Sequence, residues 1–155
     1  MDVNNIKALV FDVFGTVVDW RTSIASEAKQ CLSKKGYELD WVLFADSWRA
    51  KYQPAMEKVR TGGRGFVRLD ILHMENLIEV LKDFDIKSVT ETELNYLNRA
   101  WHRLLPWPDS VPGLLRLKKK FIIGTMSNGN VALMVNMAKN GGLPWDVILG
   151  AEPAQ

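Results

Sequence analysis

Residues 8–20 read Ala8-Leu9-Val10-Phe11-Asp12-Val13-Phe14-Gly15-Thr16-Val17-Val18-Asp19-Trp20, or ALVFDVFGTVVDW. From Ile6 to Phe14 the chain is almost continuously apolar and rich in β-formers, interrupted mainly by Lys7 and Asp12, and Gly15-Thr16 breaks the run. A run without polar alternation is how a parallel strand covered on both faces reads. Two of its residues need explaining. A strand bound for a core does not need to end on a carboxylate, and Phe14 is greasy where a carboxylate would favour polar company.

Two further runs of the same kind lie far downstream. Phe121 to Met126 (FIIGTM) is followed by Ser127-Asn128-Gly129-Asn130, which is turn chemistry, and Val147 to Leu149 is closed by Gly150. Helical patterns fill the space between. Ser23 to Lys34 is stopped by Gly36, and Asp40 to Val59 carries Trp41, Phe44, Trp48, Tyr52, Met56 and Val59 at helical spacing, with Pro54 set to kink or split it. Arg60 to Gly65 is a glycine-rich connector, after which Phe66 to Leu81 repeats the helical pattern. Thr90-Glu91-Thr92-Glu93 has the form of a capping box opening another helix through Trp101. Helices over Val111–Lys119 and Val131–Asn140 flank the second apolar run.

Without its middle, the order is strand, helix, strand, helix, strand, which calls for a parallel α/β sheet. The expected organisation is therefore an α/β core from residues 1–19 and 103–155, with residues 20–102 as an all-helical insertion. Ligands of such sheets bind at the carboxyl ends of the strands. Asp12 ends the first strand and Ser127-Asn128 the second, so two polar signals far apart in sequence converge on one rim. A lone Asp there is more often a turn former or a helix cap.

Composition narrows the function classes. The chain has 155 residues, 47% hydrophobic and 25% charged, the balance of one globular domain with a modest insertion. A net charge of +2 gives no ground for nucleic acid or an anionic membrane surface as partner, and Lys118-Lys119-Lys120 reads as a solvated helix end. No apolar run reaches membrane-spanning length, and the N-terminus lacks the form of a signal peptide. The single Cys31 has no partner for an internal disulfide and no nearby His, which points to a cytoplasmic setting and to packing rather than nucleophilic chemistry. His73 and His102 stand without partners at metal-ligand or triad spacing, so surface or packing roles are expected for both. The Gly62-Gly63-Arg64-Gly65 loop lacks the Lys-Ser/Thr of a phosphate-binding loop.

Phe11-Asp12-Val13-Phe14-Gly15-Thr16-Val17, with Asp19 after it, resembles the nucleophile motif of the haloacid dehalogenase superfamily. Thr125-Met126-Ser127-Asn128-Gly129 resembles its second motif. The resemblance runs over essentially the whole chain and implies a Rossmann-like parallel α/β sheet with an inserted all-helical cap. Phe14 selects the branch. Phosphotransferase members carry a second aspartate there, as general acid for the leaving alcohol, whereas a departing halide is already a stable anion and needs no proton. The chain thus resembles the 2-haloacid dehalogenases, which act on L-2-haloalkanoates.

That resemblance implies roles residue by residue. Asp12 would attack the halogen-bearing carbon and Thr16 would orient it. Ser127, with backbone N–H groups near Val13, Phe14 and Asn128, would hold the substrate carboxylate. Trp48-Arg49 resembles the step that receives the halide, and Phe66 would line the pocket. Neither metal nor other cofactor is called for, since there is no phosphate charge to neutralise. The partner is a small haloacid, and a homodimer is the assembly to test because relatives commonly form one. A superfamily phosphatase is the enzymatic alternative, which Phe14 and the lack of a metal-binding acidic pair oppose. A non-catalytic interaction module is the other.

One departure from the family stands at the end of the chain. Family members continue past the third strand into a lysine-bearing motif and a fourth strand that pairs with the first, whereas this sequence closes with Gly150-Ala151-Glu152-Pro153-Ala154-Gln155. The C-terminal part of the core is therefore expected to be missing. The first strand would then be an exposed apolar edge, and dehalogenase activity of this polypeptide alone would be low or nil.

Overall fold

Three parallel strands carry the three apolar runs in the structure, a computed structural model that describes residues 5–152. Along the chain, β1 (Ala8–Phe11) and the short β2 (Val18–Asp19) are followed by five helices: α1 (Trp20–Leu32), α2 (Trp41–Ala50), α3 (Tyr52–Arg60), α4 (Leu69–Asp83) and α5 (Glu91–Asn98). The short β3 (Leu105–Pro106), α6 (Ser110–Lys118), β4 (Ile122–Ser127), α7 (Val131–Gly141) and β5 (Val147–Gly150) complete the order. The chain divides into two compact units: one holds the residues through Trp20 and from His102 onward, the other is Arg21–Trp101.

In the first unit the strand order is β1-β4-β5, all parallel. Leu9 lies beside Ile123 and Phe11 beside Thr125, while Val10 lies beside Gly124, and Gly124 beside Val147. Because paired neighbours share a face, the Ile123–Thr125 face and the Ile122–Gly124–Met126 face have separate fates. Ile123 and Thr125 are wholly buried, along with Leu114 of α6 and Leu133, Met134 and Met137 of α7. On the opposite face Val10, Ile122 and Met126 are 50%, 56% and 60% exposed. The expectation of a strand covered on both faces is thus met on one face only.

A two-stranded antiparallel ribbon, β2 with β3, pairs Val18 with Pro106 and Asp19 with Leu105. It ties together the two points where the chain leaves the first unit and returns. The sequence reading missed it because two residues show no periodicity.

The helical unit follows its apolar stripes. Pro54 splits the long helical pattern where its physics requires: proline has no N–H and its ring collides with the carbonyl four residues back, and α2 ends at Ala50. Pro54 then sits in the first turn of α3, where proline is tolerated. The capping box at Thr90 and Glu93 forms with both reciprocal hydrogen bonds. The expected helix start at Phe66 is corrected to Leu69, since Arg68 is still extended (φ −59°, ψ 141°) at the end of the glycine-rich connector. Phe44, Trp48, Leu72, Leu77, Leu97 and Trp101 are buried. His73 is buried too and stacks on the Trp101 ring at 4.3 Å. Among the described residues no helix is long and apolar enough to cross a membrane.

Candidate active site

The loop after β1 is a small, tightly tied structure. The Thr16 hydroxyl donates to Asp12 Oδ2 at 2.9 Å, fixing one carboxylate oxygen and leaving Oδ1 for other work. Gly15 turns the chain at φ +93°, a conformation that favours glycine. The N–H groups of Val17 and Val18 both donate to the Val13 carbonyl, and Gly15 N–H donates to Val18 O. From outside the loop, Trp107 Nε1 donates to Gly15 O at 3.0 Å and the Ser110 hydroxyl to Val17 O at 2.8 Å. Buried Val13 and half-buried Phe14 complete it, Phe14 forming a parallel bridge with Val18. An aspartate is thus held at a strand end with its orientation set by its neighbours.

The ends of β4 and β5 are fastened to each other. Buried Thr125 donates its hydroxyl to Leu149 O and accepts from Leu149 N–H. Ala151 N–H donates to Ser127 O at 3.2 Å. At the start of the same pair, Asp146 accepts from Ile123 N–H and bridges to Lys118 Nζ at 2.6 Å. The backbone donor first, and then the ammonium, lower the Asp146 carboxyl below its ordinary value. Beyond β4, Ser127 Oγ accepts from Gly129 N–H at 3.3 Å, an ordinary serine turn. Glu152 accepts from Val131 N–H at 2.7 Å, placing a carboxylate at the N-terminus of α7.

Asp12, Ser127 and Asn128 line one open pocket of about 490 Å³, together with Met126, Leu149, Gly150 and Ala151. The predicted convergence of Asp12 with the second strand end is therefore present as geometry. The β5 residues went unnoticed as candidates, although Gly150 carried a signal by closing the third apolar run. A Cβ there would run into the Ser127 carbonyl oxygen, so only glycine lets the two strand ends approach.

Arg49, Trp48 and Phe66 belong to the helical unit. The Arg49 guanidinium sits over the Tyr52 ring at 4.4 Å. Phe66 is exposed in the connector between α3 and α4. Trp48 is 1% exposed and its indole N–H donates to His73 O at 3.0 Å. The surface option for the two histidines also fails, since both are buried and His102 Nδ1 lies 3.0 Å from Asn136 Nδ2. Cys31 is half-buried, and burial raises its thiol pKa, the opposite of what an activated nucleophile needs.

The family model for haloacid dehalogenase-like hydrolases matches residues 6–152. The chain belongs to this family. Among solved structures, a defluorinating L-2-haloacid dehalogenase is 53% identical with a TM-score of 0.93, the match covering 96% of this chain and 62% of that one. A second L-2-haloacid dehalogenase is 40% identical with a TM-score of 0.90, covering 96% and 64%. At 24% identity and a TM-score of 0.82, the L-2-haloacid dehalogenase from Xanthobacter autotrophicus shares the fold, over 96% of this chain and 58% of that one. This haloacid dehalogenase-like chain thus spans less than two thirds of each. Comparison with curated proteins gives no match.

Proposed function

We propose that this chain carries the nucleophile half of a hydrolytic L-2-haloacid dehalogenase site, with Asp12 as the attacking group. The observation that carries the reading is the Asp12 carboxylate, tied by Thr16 and opening onto a pocket shared with Ser127 and Asn128, with phenylalanine rather than an acid two residues later. Likeness to two L-2-haloacid dehalogenases at 53% and 40% identity supports the substrate class.

In this mechanism an Asp12 oxygen attacks the carbon bearing the halogen, the carbon–halogen bond breaks, and the halide leaves with the bonding pair. The configuration inverts and an aspartyl ester forms. Water then adds at the Asp12 carbonyl carbon, releasing the 2-hydroxyacid and restoring the carboxylate. Ser127 and the N–H groups around Val13, Phe14 and Asn128 hold the substrate carboxylate. Phe14 presents an apolar wall to a leaving group that takes no proton. Arg49 is the residue that the resemblance assigns to the halide, a planar cation suiting a leaving anion. A cytoplasmic setting, being reducing, keeps Cys31 a free thiol.

The test does not require turnover. On incubation with 2-chloropropionate, intact-mass analysis should show the chain gaining one substrate less its halide, with stoichiometric halide released and the added mass mapping to the peptide holding Asp12. The Asp12→Asn chain should gain nothing. Equal halide release from that variant would end the assignment.

A further inference from the structure

We infer that the open cavity between α7 and β5 is a second ligand site, one that takes a small monocarboxylate with an aromatic or aliphatic body. No described residue lines both this cavity and the pocket at Asp12. The site does not depend on the chemistry proposed for Asp12.

The cavity holds about 420 Å³, within the range of small-molecule sites. Much of its wall is apolar: Val135 on α7, Leu143 just after that helix, and Val147 and Ile148 on β5. Trp145 lines it too, its ring held 5.7 Å from that of Phe11. The Trp145 Nε1 atom is buried and meets no acceptor among the described residues. Buried donors in native proteins nearly always have a partner. Water serves such a donor only where it finds two to four polar partners, whereas a ligand needs to bring a single acceptor on an apolar body. The indole therefore gives the cavity both an aromatic wall and a donor in want of an oxygen.

Charge selects the polar end of the ligand. Lys139 stands on the last turn of α7, exposed and lining the cavity, and its ammonium has no ion-pair partner among the described residues. Asp146 is the other charged residue in the lining, and its carboxylate is already engaged by Lys118 Nζ at 2.6 Å and by Ile123 N–H at 3.0 Å. A cation would meet an occupied aspartate and the repulsion of Lys139, whereas an anion meets a free ammonium. The negative end of α7 also lies here, its Ala138 carbonyl taking the N–H groups of Gly142 and Leu143. Attraction for an anion thus rests on Lys139 and not on the helix. One ammonium and one N–H donor match a single carboxylate in number, and are too few for a phosphate.

The probe is 1-naphthaleneacetate, titrated into the isotope-labelled full chain and followed by the indole N–H and amide resonances. Trp145→Phe identifies the Trp145 indole signal by its loss. That signal should move downfield and saturate, as a donor acquiring an acceptor does. Lys139→Met keeps the aliphatic stem without the charge and should weaken binding about tenfold or more, the worth of a hydrogen bond to a charged group. The neutral 1-naphthaleneacetamide should bind the parent more weakly by a similar factor. Lys29→Met, on an exposed lysine of α1, should have no effect. Far-UV circular dichroism would confirm that each variant is folded. A Trp145 signal that does not move, or an affinity indifferent to Lys139→Met, would overturn the inference. So would shifts confined to the amides of Ser127, Asn128 and Gly150, since the probe would then sit beside Asp12. Asp12→Asn should bind the probe like the parent, so failure of the chemistry and failure of this site are read separately.

Discussion

Replacing Trp48 tests whether it serves the substrate or the core. The side chain is 1% exposed and meets Phe44 edge-on at 6.3 Å and Trp101 at 5.5 Å, with its N–H on the His73 carbonyl. Trp48→Ala removes a large buried side chain, a change that costs about 3–5 kcal/mol in well-packed cores. The lost hydrogen bond adds roughly 1 kcal/mol. Against a total of about 5–15 kcal/mol for a typical domain, that is enough to unfold the helical unit or leave it barely folded. Trp48→Phe is the sharper probe, because it keeps the ring contacts while removing the indole N–H and part of the volume. Its expected cost is about 1–3 kcal/mol, a drop of at least roughly 4 °C in the melting of a unit this small. Urea titration followed by far-UV circular dichroism reads both variants. A Trp48→Phe chain within about 0.5 kcal/mol of the parent would refute the core assignment.

Four further outcomes follow from the same geometry. Glu93 is held at a pKa of about 2, below its ordinary value of 4.5, first by the Lys35 ammonium and then by the Thr90 N–H and hydroxyl. Its folded-state pKa is depressed, so its contribution is complete above pH 4.5 and is lost as pH falls through about 2. Glu93→Gln should therefore flatten acid unfolding across that window, and an unchanged pH profile would dismiss the interaction. Thr90→Ala, which removes the cap, should cost about 1 kcal/mol by denaturant titration at neutral pH. Gly150→Ala drives a Cβ against the Ser127 carbonyl oxygen and to 3.2 Å from Gly129 O. It should destabilise the first unit by about 1–3 kcal/mol, and a neutral result would mean that the strand ends are not locked. Thr16→Val leaves Asp12 without its orienting hydroxyl and should slow ester formation roughly ten- to a hundredfold, measured by the rate of mass gain with 2-chloropropionate.

Much of the fold was legible in order along the chain. The three apolar runs, the glycine stops, the capping box and the break at Pro54 are local signals, each set by backbone sterics or hydrogen bonding within a few residues. The convergence of Asp12 with Ser127 and Asn128 was legible too, because strand ends in a parallel sheet share a rim whatever the sheet's details. Less was visible at longer range. The β2–β3 ribbon joins residues far apart through two pairs and leaves no periodic trace. The burial of Trp48 was not legible, because sequence shows a residue's neighbours in the chain, while burial depends on α4 and on the Trp101 ring arriving from elsewhere. The same holds for His73 and His102, which carry no sign of burial in their local sequence.

Taken by itself, the sequence determined the strand–helix order, the carboxylate at the first strand end and the apolar residue at Phe14, all properties of residue type and short-range spacing. Only the tertiary structure decided which side of each strand is covered. An apolar run reads identically whether one face or both are buried, since coverage depends on the hand and direction of the crossovers. It left Val10, Ile122 and Met126 open while sealing Ile123 and Thr125, one residue away.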